Sequence, residues 1–262
     1  MSVVGVTYAE VTGSSGTTVD VTRSVTAGNY LLVVGVATST TDFSQTFTTQ
    51  TGTTSAWTEI AAADQYNDPD DYGQEAAWAT ATNTESITVR LTTGAACPDR
   101  FIALIELTNV TGFDVALYAR DTASVWETAG LSNTNAAATR LSFGAWWGGG
   151  TGAADTGGGY TDNGAGWNFG GSFARLQSRV ESSVVSRTGG FNAGTGVSPA
   201  HVTQFIFNDV TGAAPDDIVS VWTDPDGPVY GEVSEFAFFF EDAPPPPSTD
   251  TPITACFSLG YY

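Results

Sequence analysis

The sequence predicts an all-β protein, an antiparallel β-sandwich or jelly roll, with two quasi-repeated halves as one way of building it and an extended C-terminal arm. Three observations carry that expectation. Hydrophobic residues recur with period two wherever a pattern is readable, clusters of Gly, Thr, Ser, Asn and Asp separate the runs, and no amphipathic helices alternate with them. The chain has 262 residues, of which 41% are hydrophobic and 12% aromatic. That suffices for a substantial core, in one large β domain or two small ones.

Residues 18–22 alternate with Val19 and Val21 on one face, and residues 86–92 with Ile87, Val89 and Leu91 on one face against Ser86, Thr88, Arg90 and Thr92. Residues 31–34, 101–105 and 201–207 read as strands buried on one or both faces. Residues 51–55 and 148–152 supply turns. Only residues 174–185 offer a helical alternative, through Leu176, Val180 and Val184. Their serines and β-branched residues favour a strand.

An internal echo runs through the chain. Leu31-Leu-Val-Val-Gly-Val-Ala is followed by Trp57, and Leu141-Ser-Phe-Gly-Ala-Trp-Trp is followed by Trp167 at the same spacing. Asn-Val-Thr-Gly at Asn109 and Asp-Val-Thr-Gly at Asp209 close the two passages. Duplication and coincidence in a narrow alphabet both fit. The expected sandwich spans residues 1–242, including a strand-like run at 233–240. A stiff Pro244–Pro247 spacer within residues 243–248 follows. Residues 249–262 then form a tail whose Ile253, Phe257, Leu259, Tyr261 and Tyr262 are expected to dock on protein, a neighbouring subunit foremost.

Charge excludes more functions than it suggests. All eight basic residues are arginine, histidine occurs once, and 28 acidic residues give a net charge of -20. Without lysine there is no Schiff base and no phosphate-loop lysine, and one histidine leaves little scope for imidazole catalysis. A polyanion would be repelled, so nucleic acid is not an expected partner. No signal peptide is visible at the start of the sequence, and the longest apolar runs are too short to span a bilayer. A soluble protein without membrane insertion is expected. Arginine without lysine also fits a G+C-rich genome, with no physical role.

Candidate sites are few. Asp64, Asp68, Asp70 and Asp71 form an oxygen-rich loop of the kind that suits Ca²⁺, although its spacing matches no calcium loop and a solvated acidic loop is the simpler reading. No other cofactor is expected. His201 has no nucleophile elbow to serve, so no catalytic residue is assigned and the chain is expected not to be an enzyme. Trp146, Trp147, Tyr160 and Trp167 lie among glycines, where exposed rings would stack on sugars or anchor an interface; filling core space is the alternative. Cys97 and Cys256 are compatible with one long-range disulfide or with two buried thiols, the latter favoured.

The succession Gly28-Asn-Tyr-Leu-Leu-Val-Val, Ala56-Trp-Thr, Ala77-Trp-Ala-Thr-Ala, Ile87-Thr-Val and Ile105-Glu-Leu-Thr-Asn-Val-Thr-Gly-Phe-Asp resembles the β-sandwich modules of tailed-phage virion proteins, tail-associated or surface-exposed. The likeness is a hydrophobic rhythm from about Val3 to Phe240 and contains no chemical motif. It implies a structural or adhesive part of the virion surface, assembled in the host cytoplasm. Its implied partners are other virion proteins, copies of itself in a homo-oligomer, and a host-surface glycan. The same rhythm occurs in secreted adhesion and carbohydrate-binding modules, so a stand-alone carbohydrate-binding or carbohydrate-active module is the alternative.

Overall fold

The computed structural model describes residues 3–39, 43–67, 72–121, 125–147, 153–154, 159–169, 172–192 and 200–210. The chain divides into two compact units, Met1–Val210 and Thr211–Tyr262. The strand-like run at 233–240, the proline spacer and the docking tail all lie outside the described residues. Among those described, every regular element is a strand.

In the first half these are β1 (Val3–Val11), β2 (Gly16–Val25), β3 (Tyr30–Thr38), β4 (Gln45–Thr51), β5 (Thr58–Glu59), β6 (Gln65–Asn67), β7 (Tyr72–Thr80), β8 (Glu85–Cys97) and β9 (Asp99–Leu107). The second half adds β10 (Val110–Asp121), β11 (Val125–Glu127), β12 (Leu131–Ser132), β13 (Ala137–Trp147), β14 (Ala153–Ala154) and β15 (Thr161–Phe169). It ends with β16 (Ser172–Ser182), β17 (Ser186–Arg187), β18 (Gly190–Asn192) and β19 (Ala200–Asp209). Residues 174–182 are therefore strand, as their β-branched composition favours.

Two antiparallel sheets make the sandwich, in the orders β1-β9-β3-β7-β5 and β10-β19-β13-β16-β15. In each, the first long strand of its half lies beside the last, and the last beside the central strand. The register agrees as well: Gly35 stands between Ile102 and Glu75, and Gly144 between Val202 and Arg175. The echo is thus real in topology but one residue out of register in sequence, because Leu141 occupies the place of Leu32 rather than Leu31. Nor are the two tryptophans equivalent. Trp57 packs outside the first sheet, and Trp167 packs between the sheets. Asn109 joins the halves in the left-handed conformation (φ 58°), which asparagine tolerates better than most residues, and its carbonyl accepts from Val210 N at 2.9 Å.

The inner faces meet in an apolar core. Leu32, Val34, Val36, Phe101, Ala103 and Ile105 of the first sheet pack against Leu141, Phe143, Ala145, Phe205 and Phe207 of the second. Phe101 sits at the centre, its ring 5.5 Å from that of Trp167, 5.8 Å from Tyr8 and 6.2 Å from Phe143. Each such side chain contributes roughly 1.5–3 kcal/mol through burial.

The outer layers differ. A third sheet, β2-β8-β4, covers the first half with its alternating apolar face (Val19, Val21, Phe47, Ile87, Val89, Leu91). It comes close enough that a Cβ on Gly35 would stand 2.9 Å from Leu91 Cδ1. Its other face carries threonines, with Asp20 and Arg90 paired in their midst at 2.7 Å. Among the described residues the second half has the small sheets β11-β18-β14 and β12-β17, and much of what they cover is polar.

Candidate functional site

On β13 the residues facing outward are Arg140, Ser142, Gly144 and Trp146, and on β16 they are Arg175, Gln177, Arg179 and Glu181. The pairings Arg140↔Arg179, Ser142↔Gln177 and Gly144↔Arg175 set them side by side. Gln204 of β19 adjoins Ser142. Arg140, Ser142, Gln177 and Gln204 are wholly buried. Charge and amide groups removed from water must be hydrogen-bonded, and nearly all are.

Arg140 Nη1 donates to Gln204 Oε1 at 2.8 Å and to the Leu131 carbonyl at 3.0 Å, while Nη2 donates to the Val185 carbonyl at 3.2 Å and to Asn133 Oδ1 at 3.4 Å. Asn133 also accepts from Val185 N and donates to the Ser183 carbonyl. Gln177 donates to the Gly190 carbonyl at 2.7 Å, and Gln204 donates to Thr128 Oγ1 and the Arg187 carbonyl. These bonds strap β12, β17 and β18 onto the sheet. Glu181 is a carboxylate of the cluster and takes Arg179 Nε at 2.6 Å and Arg187 Nε at 3.0 Å, with Arg140 Nε 3.9 Å away. Burial pulls the Arg140 pKa below its ordinary value. Guanidinium groups do not exchange protons near neutrality, so the arrangement presents charge rather than acid–base chemistry.

Between the sheets, His201 is wholly buried. Its ring stacks on Tyr72 at 4.6 Å, its Nδ1 is 2.6 Å from the Tyr118 hydroxyl, and Gln74 Nε2 donates to Thr203 Oγ1 at 2.5 Å nearby. Burial pushes the Tyr72 hydroxyl well above the usual phenol range.

At the edge of the first sheet, burial raises the Glu75 carboxyl to about 8, with the neighbouring charges of Asp64 and Glu59 adding to it and the Gln45 backbone N–H opposing it. Burial likewise lifts Asp209 to about 6, against a hydrogen bond from Thr139. Cys97 is buried and its thiol pKa is raised by burial; Cys256 lies outside the described residues.

The aromatic contact surface needs correction. Trp146 is wholly buried and packs with Phe173, Phe191 and Val202 under β18. Tyr160 is buried too, its hydroxyl donating to the Thr188 carbonyl at 3.1 Å. Trp167 is half-buried against Phe101 and Tyr8. Glycine beside these rings leaves room for neighbouring side chains instead of leaving the rings exposed: a Cβ on Gly144 would stand 2.6 Å from the Phe191 ring. The side chain of Trp147 lies outside the described residues. In the acidic loop only Asp64 is described, exposed; Asp68, Asp70 and Asp71 are not. No group of three metal-ligating side chains occurs among the described residues. The tail residues Ile253, Phe257, Leu259, Tyr261 and Tyr262 likewise lie outside them. Among the described residues no helix is long and apolar enough to cross a membrane.

The arginine cluster is what a reading of the sequence misses. Its one signal is the period-two polar set Arg175, Gln177, Arg179 and Glu181 along a strand whose partner carries Arg140 among apolar residues.

No family model matches the chain, and no curated protein sequence matches it. Among solved structures, the major capsid protein P2 of bacteriophage PM2 is aligned over 78% of this chain and 97% of its own, at 4% identity and a TM-score of 0.19. A likeness at that level carries no argument about fold or function.

Proposed function

We propose that the chain is a non-enzymatic structural or surface protein of a tailed-phage virion, tail-associated or capsid-decorating. It would serve assembly or host-surface attachment through protein and glycan contacts. One observation supports this most. A six-stranded and a five-stranded sheet with the same order along their main paths are fastened face to face, and the buried polar groups described above are largely spent on fastening strands. Arg140, Asn133, Gln177 and Gln204 bond chiefly to backbone carbonyls and to one another. Buried Glu106 is held by Arg23, Asn29 and the Thr26 amide. Such a body resists deformation and offers broad, diversifiable faces, which suits a part of a particle. The sequence resemblance points the same way.

Mass spectrometry and cryo-EM reconstruction of purified particles from the virus encoding the chain test the reading. The protein should be present at a symmetry-related copy number with its sandwich resolved on the outside. Its absence from particles, or turnover of a polysaccharide abolished by a single acidic substitution, would overturn it.

A further inference from the structure

The inner face of β7 is not apolar throughout. Tyr72 and Ala76 belong to the core between the sheets, and Gln74, between them on the same face, is wholly buried. On the opposite sheet β19 does likewise. Phe205 and Phe207 are core, while Thr203 and His201 continue that face and are wholly buried. The two strands meet pairwise, the Tyr72 ring on the His201 ring at 4.6 Å and Gln74 Nε2 against Thr203 Oγ1 at 2.5 Å. Strand pairing sets Val36 beside Gln74 and Phe143 beside Thr203. Two polar residues 129 apart in sequence, one from each half, are thus pressed together away from water.

As an ordinary amide Gln74 is badly served. Its Oε1 is buried with no hydrogen-bond partner among the described residues, and an unanswered buried carbonyl costs more than one neutral hydrogen bond returns. Gln204 provides the contrast. It too donates to a buried threonine, Thr128 Oγ1, yet its Oε1 accepts from Arg140 Nη1 at 2.8 Å and its nitrogen also donates to the Arg187 carbonyl at 3.1 Å. That amide is satisfied on both sides. The Gln74 contact is instead arranged for reaction. The amide C–N bond is about 1.33 Å long, so Gln74 Cδ lies within about 3.8 Å of Thr203 Oγ1. A hydroxyl held against a carbonyl carbon in a packed core is spared the entropy of encounter.

We propose that Gln74 and Thr203 form an intramolecular ester that joins the two sheets covalently. Thr203 Oγ1 attacks Gln74 Cδ. The Cδ–Oγ1 bond forms, the Cδ–Nε2 bond breaks, the hydroxyl proton passes to the departing nitrogen, and one ammonia leaves. The product replaces a two-donor amide by an ester and so buries less unanswered polarity. The event occurs once per chain, without turnover, and stands independently of the virion reading.

Mass spectrometry of the full-length protein, denatured and reduced, tests it. The intact chain should be lighter than its sequence by one ammonia. Trypsin cuts after arginine, so residues 24–90 and 188–262 should emerge as one joined species. Hydroxylamine, which cleaves esters, should separate the two. Thr203→Val and Gln74→Leu should each restore the full mass and release two separate peptides. The wild-type digest decides the matter even if a variant fails to fold. An intact chain of full mass, whose two peptides come apart without hydroxylamine, overturns the cross-link. A joined species that persists in Thr203→Val, resists hydroxylamine, or links 188–262 to 121–140, the peptide of Thr128, overturns its assignment to an ester of Gln74 and Thr203.

Discussion

Glu75→Gln should make the protein less sensitive to alkali. The Glu75 carboxyl is buried on β7, and its pKa rises from 4.5 to about 8. In the folded protein it therefore holds its proton at neutral pH, while in the unfolded chain it releases it above about 4.5. The folded state binds more protons throughout that window, so stability is full below the lower value, falls as pH rises, and levels off above about 8. At roughly 1.4 kcal/mol per pH unit the loss has a ceiling on the order of 4–5 kcal/mol. Glutamine keeps the size of the protonated acid and cannot ionise, so the variant loses this slope. Urea denaturation at intervals from pH 5 to 9 reads the effect as the difference between wild type and variant, which cancels the remaining titrations. Asp209, raised to about 6, contributes its own decline at lower pH, which the difference between the two proteins removes. The expected outcome is a variant about as stable as wild type near pH 5 and more stable by a few kcal/mol at pH 8.5. Parallel curves for the two proteins would refute the assignment of a buried, protonated Glu75.

Three further outcomes are expected. Phe101→Ala removes the ring at the centre of the sandwich and should cost about 3–5 kcal/mol, read as a drop in the denaturation midpoint at unchanged m-value; a loss below ~1 kcal/mol would mean that the sheets do not meet there. Gly35→Val should destabilise by roughly 1–3 kcal/mol through overpacking against Leu91 and Phe47, whereas the same change at Gly112, with open space beside it, should spare the core. Cys97, buried and with its thiol pKa raised, should react with a thiol reagent only after denaturant is added, since the thiolate is the nucleophile; in a Cys256→Ser variant, which leaves Cys97 as the single thiol, rapid labelling of the native protein at neutral pH would contradict its placement.

Much of the fold was legible because a half-buried strand writes its alternation into the sequence: β8 reads Ile87, Val89, Leu91 inward and Thr88, Arg90, Thr92 outward, and so it folds. The likeness of the two halves in strand order was legible in outline and misplaced in detail. In β13 the outward positions hold Arg140 and Ser142, so matching apolar letters drew Leu141 against Leu31 when its counterpart is Leu32. Such a slip exchanges the two faces of a strand. The same polarity hid the arginine cluster, since a buried guanidinium and a solvated one are one letter. Trp146 and Tyr160 misled for the opposite reason. Glycine neighbours suggest an uncovered ring, yet they leave room for side chains such as Phe191 to close over it.

Arg100 and Arg140 have a consequence for how this protein can vary. Each guanidinium gathers carbonyl oxygens of loops and short straps: Ser14, Gly16, Thr18 and Cys97 around Arg100, Leu131 and Val185 around Arg140. Lysine, with three donors on a point charge, could not span them, which gives the lysine-free composition a physical use at these two positions. Because the bonds to Ser14, Thr18, Leu131 and Val185 address main-chain oxygen, they are indifferent to what side chains those residues carry. Their shapes are inherited from two buried arginines, and their outward chemistry is open to drift.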